Sequence, residues 1–358
     1  MDIKIIAPIN SAKEVKEIIK AGASELYCGI LPRNWLKKYT NIASPNRRDW
    51  RAANLTCYSE LKEVVDIAHS YQVPVCLTLN AFYTQSQYPL AYEQVEYARK
   101  VGIDALIIAD IGILLELKRR NIDIDTHVST GGTTFNSQTA RFYEEFGVSR
   151  IILPRHLQMR EIKEIVTDCP SLKFEVFVLN SGCKNIDGFC TFQHGVNEIL
   201  HPYLWNWFKK LNADRYLLEA IRRLPKKIVQ TLKINIFGID SACLLNYKVS
   251  LASDNKLEKE TLLMCKDIAK NYNLLSGVDP CGACDLYQFK QIGMYAVKIV
   301  GRNYSTSKKV KDVLFLNRAL SYLRENLHIE EDDFREWTKF EFKKIYKMNC
   351  RELCYRFN

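Results

Sequence analysis

Four phrases recur along the chain: Ala21-Gly-Ala-Ser-Glu-Leu-Tyr27, Val101-Gly-Ile-Asp-Ala-Leu-Ile107, Phe146-Gly-Val-Ser-Arg-Ile-Ile152 and Ile292-Gly-Met-Tyr-Ala-Val-Lys-Ile299. In each, a glycine stands where a helix would close, and a strand-like apolar run follows within a few residues. Extending this pattern outward gives β-rich runs at 3–7, 24–28, 74–80, 104–109, 123–128, 149–153 and 173–179. Amphipathic stretches lie between them near 11–21, 58–71, 88–101, 111–120, 135–146 and 158–167, with apolar residues at helical spacing such as Val64, Val65, Ile67 and Ala68. Strand and helix alternating through short joints imply a parallel sheet with helices outside. Seven strands come early, and the fourth phrase supplies an eighth far downstream. Eight strands predict a closed, TIM-like (β/α)₈ barrel. A doubly wound sheet would carry a glycine-rich phosphate turn after its first strand, and here Pro8-Ile9-Asn10-Ser11 follows instead.

The expected organisation is a barrel over residues 1–307, interrupted by an insertion at 181–280 between the seventh and eighth strands. A C-terminal helical extension at 308–358 follows. The insertion holds the aromatic cluster Tyr203, Trp205, Trp207 and Phe208. It also holds a basic stretch at 209–233, with Lys209, Lys210, Arg215, Arg222, Arg223, Lys226, Lys227 and Lys233 against only Asp214 and Glu219. Such a surface suits RNA or an anionic small molecule; a solvated helix face reads equally well, and the aromatics fit core packing as well as base stacking.

Composition agrees with a folded chain. Of 358 residues 47% are hydrophobic and 26% charged, with 51 Lys+Arg against 41 Asp+Glu, a net charge of +10. That excludes a disordered polymer. No run approaches the roughly 18 apolar residues of a membrane span, and Met1-Asp-Ile-Lys-Ile-Ile-Ala-Pro8 lacks a signal peptide's basic start and long apolar stretch. The expected compartment is the cytoplasm, where disulfides are rare. The twelve cysteines are therefore expected as core thiols or metal ligands.

In a (β/α)₈ barrel the active site lies at the carboxyl ends of the strands. That rule selects Tyr27 and Cys28 at the end of the second strand, Asn80 after the third, Asp110 after the fourth, His127, Ser129 and Thr130 after the fifth, Arg155 and His156 after the sixth, Asn180 and Ser181 after the seventh and Arg302 after the eighth. His127, Asp110 and Asn80 are the candidate catalytic residues; Arg155, Arg302, Ser129, Thr130 and Tyr27 are the candidate substrate-binding residues. Two arginines at one mouth favour an anionic ligand. Each has a structural alternative: Asp110 as a helix cap, His127 as a satisfied core histidine, the arginines as partners of carboxylates.

Cys183 and Cys190 flank Gly188 in the loop leaving the seventh strand, and Cys281-Gly-Ala-Cys284 precedes the eighth. Neighbouring strands in a closed barrel would bring all four thiols to one rim. Spacing alone fits an iron–sulfur cluster and a structural zinc equally well.

The seventh-strand segment Glu175-Val-Phe177-Val-Leu-Asn180-Ser181-Gly182-Cys183, continuing through Gly188 to Cys190, resembles the signature of the collagenase-like peptidase family U32. That signature reads Glu-x-Phe-x-x-Gly-Ser/Ala-aliphatic-Cys-x4-Gly-x-Cys. Asn180 and Gly182 replace its glycine and aliphatic residue. Ala7-Pro8 with Ser11, His127-Val-Ser129-Thr130 with Asn136, and Lys298-Ile-Val-Gly301-Arg302 with Ser305 are similar to further motifs of the family, with Gly131 in place of Gln and Val300 in place of Glu. The resemblance implies a 4Fe–4S cluster and oxygen-independent hydroxylation of tRNA, rRNA or a ubiquinone ring. In the nucleic-acid branch the hydroxyl is thought to come from the dicarboxylate prephenate. The implied ligands are Cys183, Cys190, Cys243 and Cys281, with Cys284 as rival for the last place and zinc as the alternative occupant. In this reading His127 shuttles protons, and Arg155 and Arg302 hold anionic groups. Cys57, Cys76, Cys169 and Cys265 are expected as buried or incidental thiols; the role of Cys350 and Cys354, at helical i, i+4 spacing, is left unassigned. The alternatives are a collagenase-like peptidase using Ser181 or Cys183, and a non-catalytic iron–sulfur subunit paired with another family member.

Overall fold

The structure is a computed structural model that describes residues 2–39, 44–48, 53–183, 186–189, 279–350 and 353–356. Eight parallel strands close into a barrel in strict sequence order. They are β1 (Lys4–Pro8), β2 (Glu25–Cys28), β3 (Val75–Leu79), β4 (Ala105–Ile108), β5 (Asp125–Val128), β6 (Arg150–Ile152), β7 (Lys173–Leu179) and β8 (Ala296–Ile299). Closure is made by β8 against β1, with Lys4 opposite Ala296 and Ile6 opposite Lys298. The helices, numbered among the described residues, are α1 (Val15–Lys20), α2 (Arg33–Lys38), α3 (Tyr58–Ser70), α4 (Tyr88–Val101), α5 (Ile111–Arg119), α6 (Ser137–Glu145), α7 (Met159–Asp168), α8 (Leu286–Gln291), α9 (Thr306–Glu325) and α10 (Glu331–Tyr346).

The glycines of the four recurring phrases, Gly22, Gly102, Gly147 and Gly293, all have positive φ, between 72° and 110°. At Gly102 this is the left-handed cap of α4, whose N–H returns to the carbonyls of Ala98 and Arg99. The next residues can then turn directly into β4.

Most strand residues are buried on both faces, so β1 and β4 read as nearly continuous apolar runs, whereas Glu25, His127 and Arg150 carry charge-bearing groups into the barrel. Ile5, Ala7, Leu26, Cys28, Val75 and Leu77 pack outward against the helices. Ile6, Tyr27, Cys76, Ile107, Ile152, Phe177 and Val300 fill the barrel. The C-terminal stretch divides between two duties. α9 packs on α1, β1 and β8 as the last helix of the ring, and α10 packs outside α9. Most of the 181–280 insertion, including the aromatic and basic segments, Cys190 and Cys243, lies outside the described residues. No helix among the described residues is long and apolar enough to cross a membrane.

Candidate functional site

The barrel interior is strongly ionic at its lower level. Arg150, from the start of β6, reaches Glu25 of β2 with two bonds of 2.6 and 2.8 Å and Glu175 of β7 at 3.2 Å. Lys298 of β8 completes the chain at 2.6 Å from Glu175. All four side chains are at most 5% exposed. Lys298 also lies over the ring of Tyr27, 4.2 Å from its centre. His127 belongs to this level. It is 2% exposed, with Nε2 3.5 Å from Asp125 and Nδ1 3.8 Å from the Cys76 thiol.

The electrostatics follow from this packing. Burial pushes the Glu25 carboxyl up, but Arg150, helped by His127 and Cys76, more than offsets it and holds the group below its ordinary range. Burial pushes the His127 imidazole below 6.5, and Arg150 adds to the shift, against the pull of Asp125. Burial also acts to raise Asp125, which is lowered nonetheless, to about 2, by His127, Ser149 and Thr126. All three groups are held below their unfolded values. Below about pH 6.5 the unfolded chain therefore binds more protons than the folded one, and stability is lost as pH falls. His127's contribution, complete above 6.5, goes first. That of Asp125 follows between 3.8 and about 2, reduced because its carboxylate is 45% exposed. The urea midpoint should be level above about pH 6.5 and drop toward pH 5; a midpoint unchanged between pH 7.5 and 5 counts against this network.

Glu25, Cys76 and His127 place their ligand atoms within 4.8 Å of one another, a group that could hold a metal ion. The same Glu25 carboxylate already receives both Arg150 bonds, so a cation there would have to displace a guanidinium.

At the mouth, the two selected arginines are committed differently. Arg302 is 7% exposed. It donates to Thr78 Oγ1 at 3.1 Å, to Asn54 Oδ1 at 3.3 Å, and to Asn46 Oδ1 and its carbonyl at 3.1 and 3.3 Å. It clamps the long loop after β2 onto the barrel, and no carboxylate stands among these partners. Arg155 is half-buried over the ring of Phe177, 4.4 Å from its centre. Its guanidinium pairs with Asp187, which also accepts the Arg155 backbone N–H at 2.9 Å. Burial disfavours the Arg155 charge, yet Asp187, Tyr355 and Cys183 keep its pKa raised. Its Nε is buried with no hydrogen-bond partner among the described residues.

Asp110 caps α5. Its carboxylate accepts from the N–H of Ile113 at 3.1 Å, the N–H of Tyr83 at 2.9 Å and the hydroxyl of Tyr88 at 3.1 Å. This is the structural alternative the sequence left open. Asn80 donates to Ser129 Oγ at 3.2 Å, while its Oδ1 is buried without a partner among the described residues. Ser129 in turn caps the short 3₁₀ turn Thr130–Gly132. The Tyr27 hydroxyl donates to the carbonyl of Ile299 at 3.0 Å, and burial raises its pKa. Asn80, Ser129, Thr130, Arg155 and Cys183 thus stand at the carboxyl ends of the strands, whereas His127 lies within the barrel below them.

Two residues in left-handed backbone, Asn180 (φ 66°) and Ser181 (φ 49°), turn the chain off β7 toward Cys183. Asn180 stands where the family signature carries glycine, and asparagine tolerates this conformation better than most residues. Its side chain is fixed by Lys308 and Asp312, each at 2.7 Å. Cys281 meets the same strand, bridged to Leu179, and the Asn180 N–H donates to Pro280 at 3.1 Å. Of the expected ligands, Cys183, Cys281 and Cys284 are therefore described near the β7 end. Cys183 stands beside Arg155, whereas Cys281 and Cys284 stand beside the C-terminal tail. Sequence reasoning passed over Asp187, Asn46 and Asn54, ordinary loop residues until the fold brings them to an arginine.

A closed barrel with polar side chains gathered at the carboxyl ends of its strands has the architecture of (β/α)₈ enzymes. The sequence model of Peptidase family U32 matches residues 10–199, and the chain belongs to that family. It is 28% identical over 188 residues to a tRNA hydroxylation protein P of Helicobacter pylori, covering 52% of this chain and 42% of the relative. To the tRNA hydroxylation protein P of Haemophilus influenzae it is 27% identical over 312 residues, covering 84% and 64%. To a collagenase of Porphyromonas gingivalis it is 26% identical over 199 residues, covering 53% and 44%. The chain thus spans less than two thirds of the length of each.

Proposed function

We propose that this protein is an enzyme that hydroxylates RNA, using an iron–sulfur cluster held at the β7 rim and an anionic oxygen donor bound at the barrel mouth. The observation that carries this reading is Arg155, anchored by Asp187 and Phe177 beside Cys183 with a buried Nε left to donate. A buried donor without a partner is costly, and an anionic ligand at the mouth would satisfy it. Asn80 is the second contact for that ligand: its Oδ1, without a partner among the described residues, would accept from a hydroxyl of the ligand rather than meet its anionic oxygens, and Ser129 positions it. Cys183 and Cys190 would hold the cluster, with Cys243 and Cys281 as the further ligands of the family pattern. Once bound, the cluster supplies one-electron chemistry. His127 acts through the ionic layer beneath the mouth, by fixing the barrel interior. Val300 and Gly131, both buried where the family pattern has polar residues, make the mouth less polar and suit a substrate different from that of the better-matched members.

The collagenase-like alternative draws support from the relative of that name. A hydrolytic nucleophile at Ser181 or Cys183 needs a base within hydrogen-bond reach; of the two histidines selected from the sequence, His127 is enclosed in the barrel and His156 is exposed just after β6.

Two measurements test the proposal. Anaerobically purified protein should be coloured and hold about four iron and four sulfide per chain. RNA from cells lacking the gene should have lost a hydroxylated nucleoside, and Arg155→Met should reproduce that loss with the iron retained. Colourless, iron-free protein with an unchanged nucleoside profile would remove this function, and gelatin cleavage by the same protein would put the peptidase in its place.

A further inference from the structure

The C-terminal tail ought to fray, as chain ends do unless tied down. Here its described end, residues 353–356, lies against the barrel. Cys281 bridges Leu179 at the end of β7 and, in parallel, Cys354 of the tail, so the tail is the third strand of a small patch that prolongs β7. The Cys281 N–H donates to the carbonyl of Leu353 at 2.8 Å, and the Tyr355 N–H donates to the carbonyl of Cys281 at 3.1 Å. Arg356, its side chain 2% exposed, completes the anchor. It donates to Asp285 at 3.1 Å and to the carbonyl of Phe177 in β7 at 3.5 Å.

This pairing delivers Tyr355 to the mouth. Its ring packs against the apolar cluster that fills the barrel, to which Phe177 belongs. Phe177 carries the Arg155 guanidinium 4.4 Å from its ring centre. The Tyr355 hydroxyl donates to the carbonyl of Asn180, the first of the two left-handed residues that lead to Cys183. The same oxygen is a hydrogen-bond partner of the Arg155 guanidinium. Burial pushes the Tyr355 phenol up, and Arg155, then Arg356, oppose the rise. A phenol suits this place because it can donate to a carbonyl and accept from a guanidinium at once. A carboxylate has no proton to give, and an ammonium has no lone pair.

We propose that Tyr355 is a positioning residue of the mouth: it ties Arg155 to the turn that carries Cys183, so that the end of the chain completes the place where the anionic ligand binds. This rests on the reading of Arg155 as the donor to that ligand. Asp187 holds Arg155 from the loop after β7, and Tyr355 holds it from the tail. Two anchors fix the plane of a guanidinium, whereas one lets it swing.

Tyr355→Phe tests the hydroxyl while keeping the ring and the backbone pairing. Phenylglyoxal labelling of Arg155, mapped by mass spectrometry on the folded protein, should become about tenfold faster in the variant. Arg302, held by other partners, should label as in wild type. The hydroxylated nucleoside that wild-type protein restores to cells lacking the gene should fall about tenfold with the variant, with iron content unchanged. Arg155 labelling at the wild-type rate overturns the inference. So does equal acceleration at Arg155 and Arg302, which would mark a general loosening. If Arg155→Met removes the nucleoside and Tyr355→Phe leaves it at the wild-type level, the hydroxylation stands and the positioning role is overturned. If Arg155→Met also leaves the nucleoside in place, the proposed function falls, and the labelling of Arg155 alone decides what Tyr355 does.

Discussion

Arg150→Met is expected to lower the free energy of unfolding by roughly 3–5 kcal/mol, because it leaves two carboxylates in the barrel with one cation between them. Glu25 loses both of its 2.6 and 2.8 Å bonds to Arg150, and Glu175, 0% exposed, keeps only Lys298. Neither group can reach water, and only the Cys76 thiol at 3.1 Å and the field of His127 are left to oppose the desolvation penalty of Glu25. The thermal midpoint should fall on the order of 10 °C. The triple variant Glu25→Leu/Arg150→Met/Glu175→Leu should cost less than its three single changes added together, since it removes the charges with their partners. A midpoint shift under about 2 °C for the single variant would show that the network is already hydrated or neutral.

Gly29→Ala should be nearly as damaging, for a steric reason. A Cβ there would lie 1.7 Å from an Arg302 guanidinium nitrogen, 2.6 Å from Asn46 Nδ2 and 2.7 Å from Asn54 Oδ1. The guanidinium is the end of a flexible chain, but here it is held by Thr78, Asn46 and Asn54. To escape the methyl it must abandon partners that are themselves buried. We expect a loss on the order of 3 kcal/mol from overpacking and unpaired polar groups, with the loop after β2 freed to open. Limited proteolysis should cut at residues 44–48 or 53–54 in the variant and spare them in wild type. If Gly29→Ala and Arg302→Met prove additive in urea unfolding, the clamp is not what the glycine protects.

The legible part of the site was its address. The ends of strands are visible in sequence because each strand is a short apolar run between turn residues, so Asn80, Ser129 and Arg155 could be placed at the mouth without knowing what they touch. Their commitments were not legible. Asp110 and Asn80 both follow consecutive strands, yet one caps α5 and accepts two further bonds from Tyr83 and Tyr88, and the other keeps a buried oxygen without a partner among the described residues. Arg302 and Arg155 look alike in sequence, but the first is tied by the loop after β2 and the second by Asp187, 32 residues on. The short helix Arg33–Lys38 within that loop gave no periodic signal, its length being under two turns. The tail cysteines read as a helical i, i+4 pair, whereas the described backbone at Cys354 is a strand-like bridge to Cys281.

By itself the sequence determined a closed eight-stranded barrel, the order of its strands, its membership of a family and the rim where chemistry must gather. The barrel, the strand order and the family follow from local signals: apolar period, glycine at helix ends, motif residues in register; the rim is an inference from the barrel. Only the tertiary structure decided which charges neutralise each other inside the barrel, which partners tie down Arg155 and Arg302, and that Cys281 faces Cys354 across 73 residues of chain. Those pairings depend on side chains from remote strands arriving at one point in a low-dielectric interior, where distance sets the energy and sequence separation does not enter.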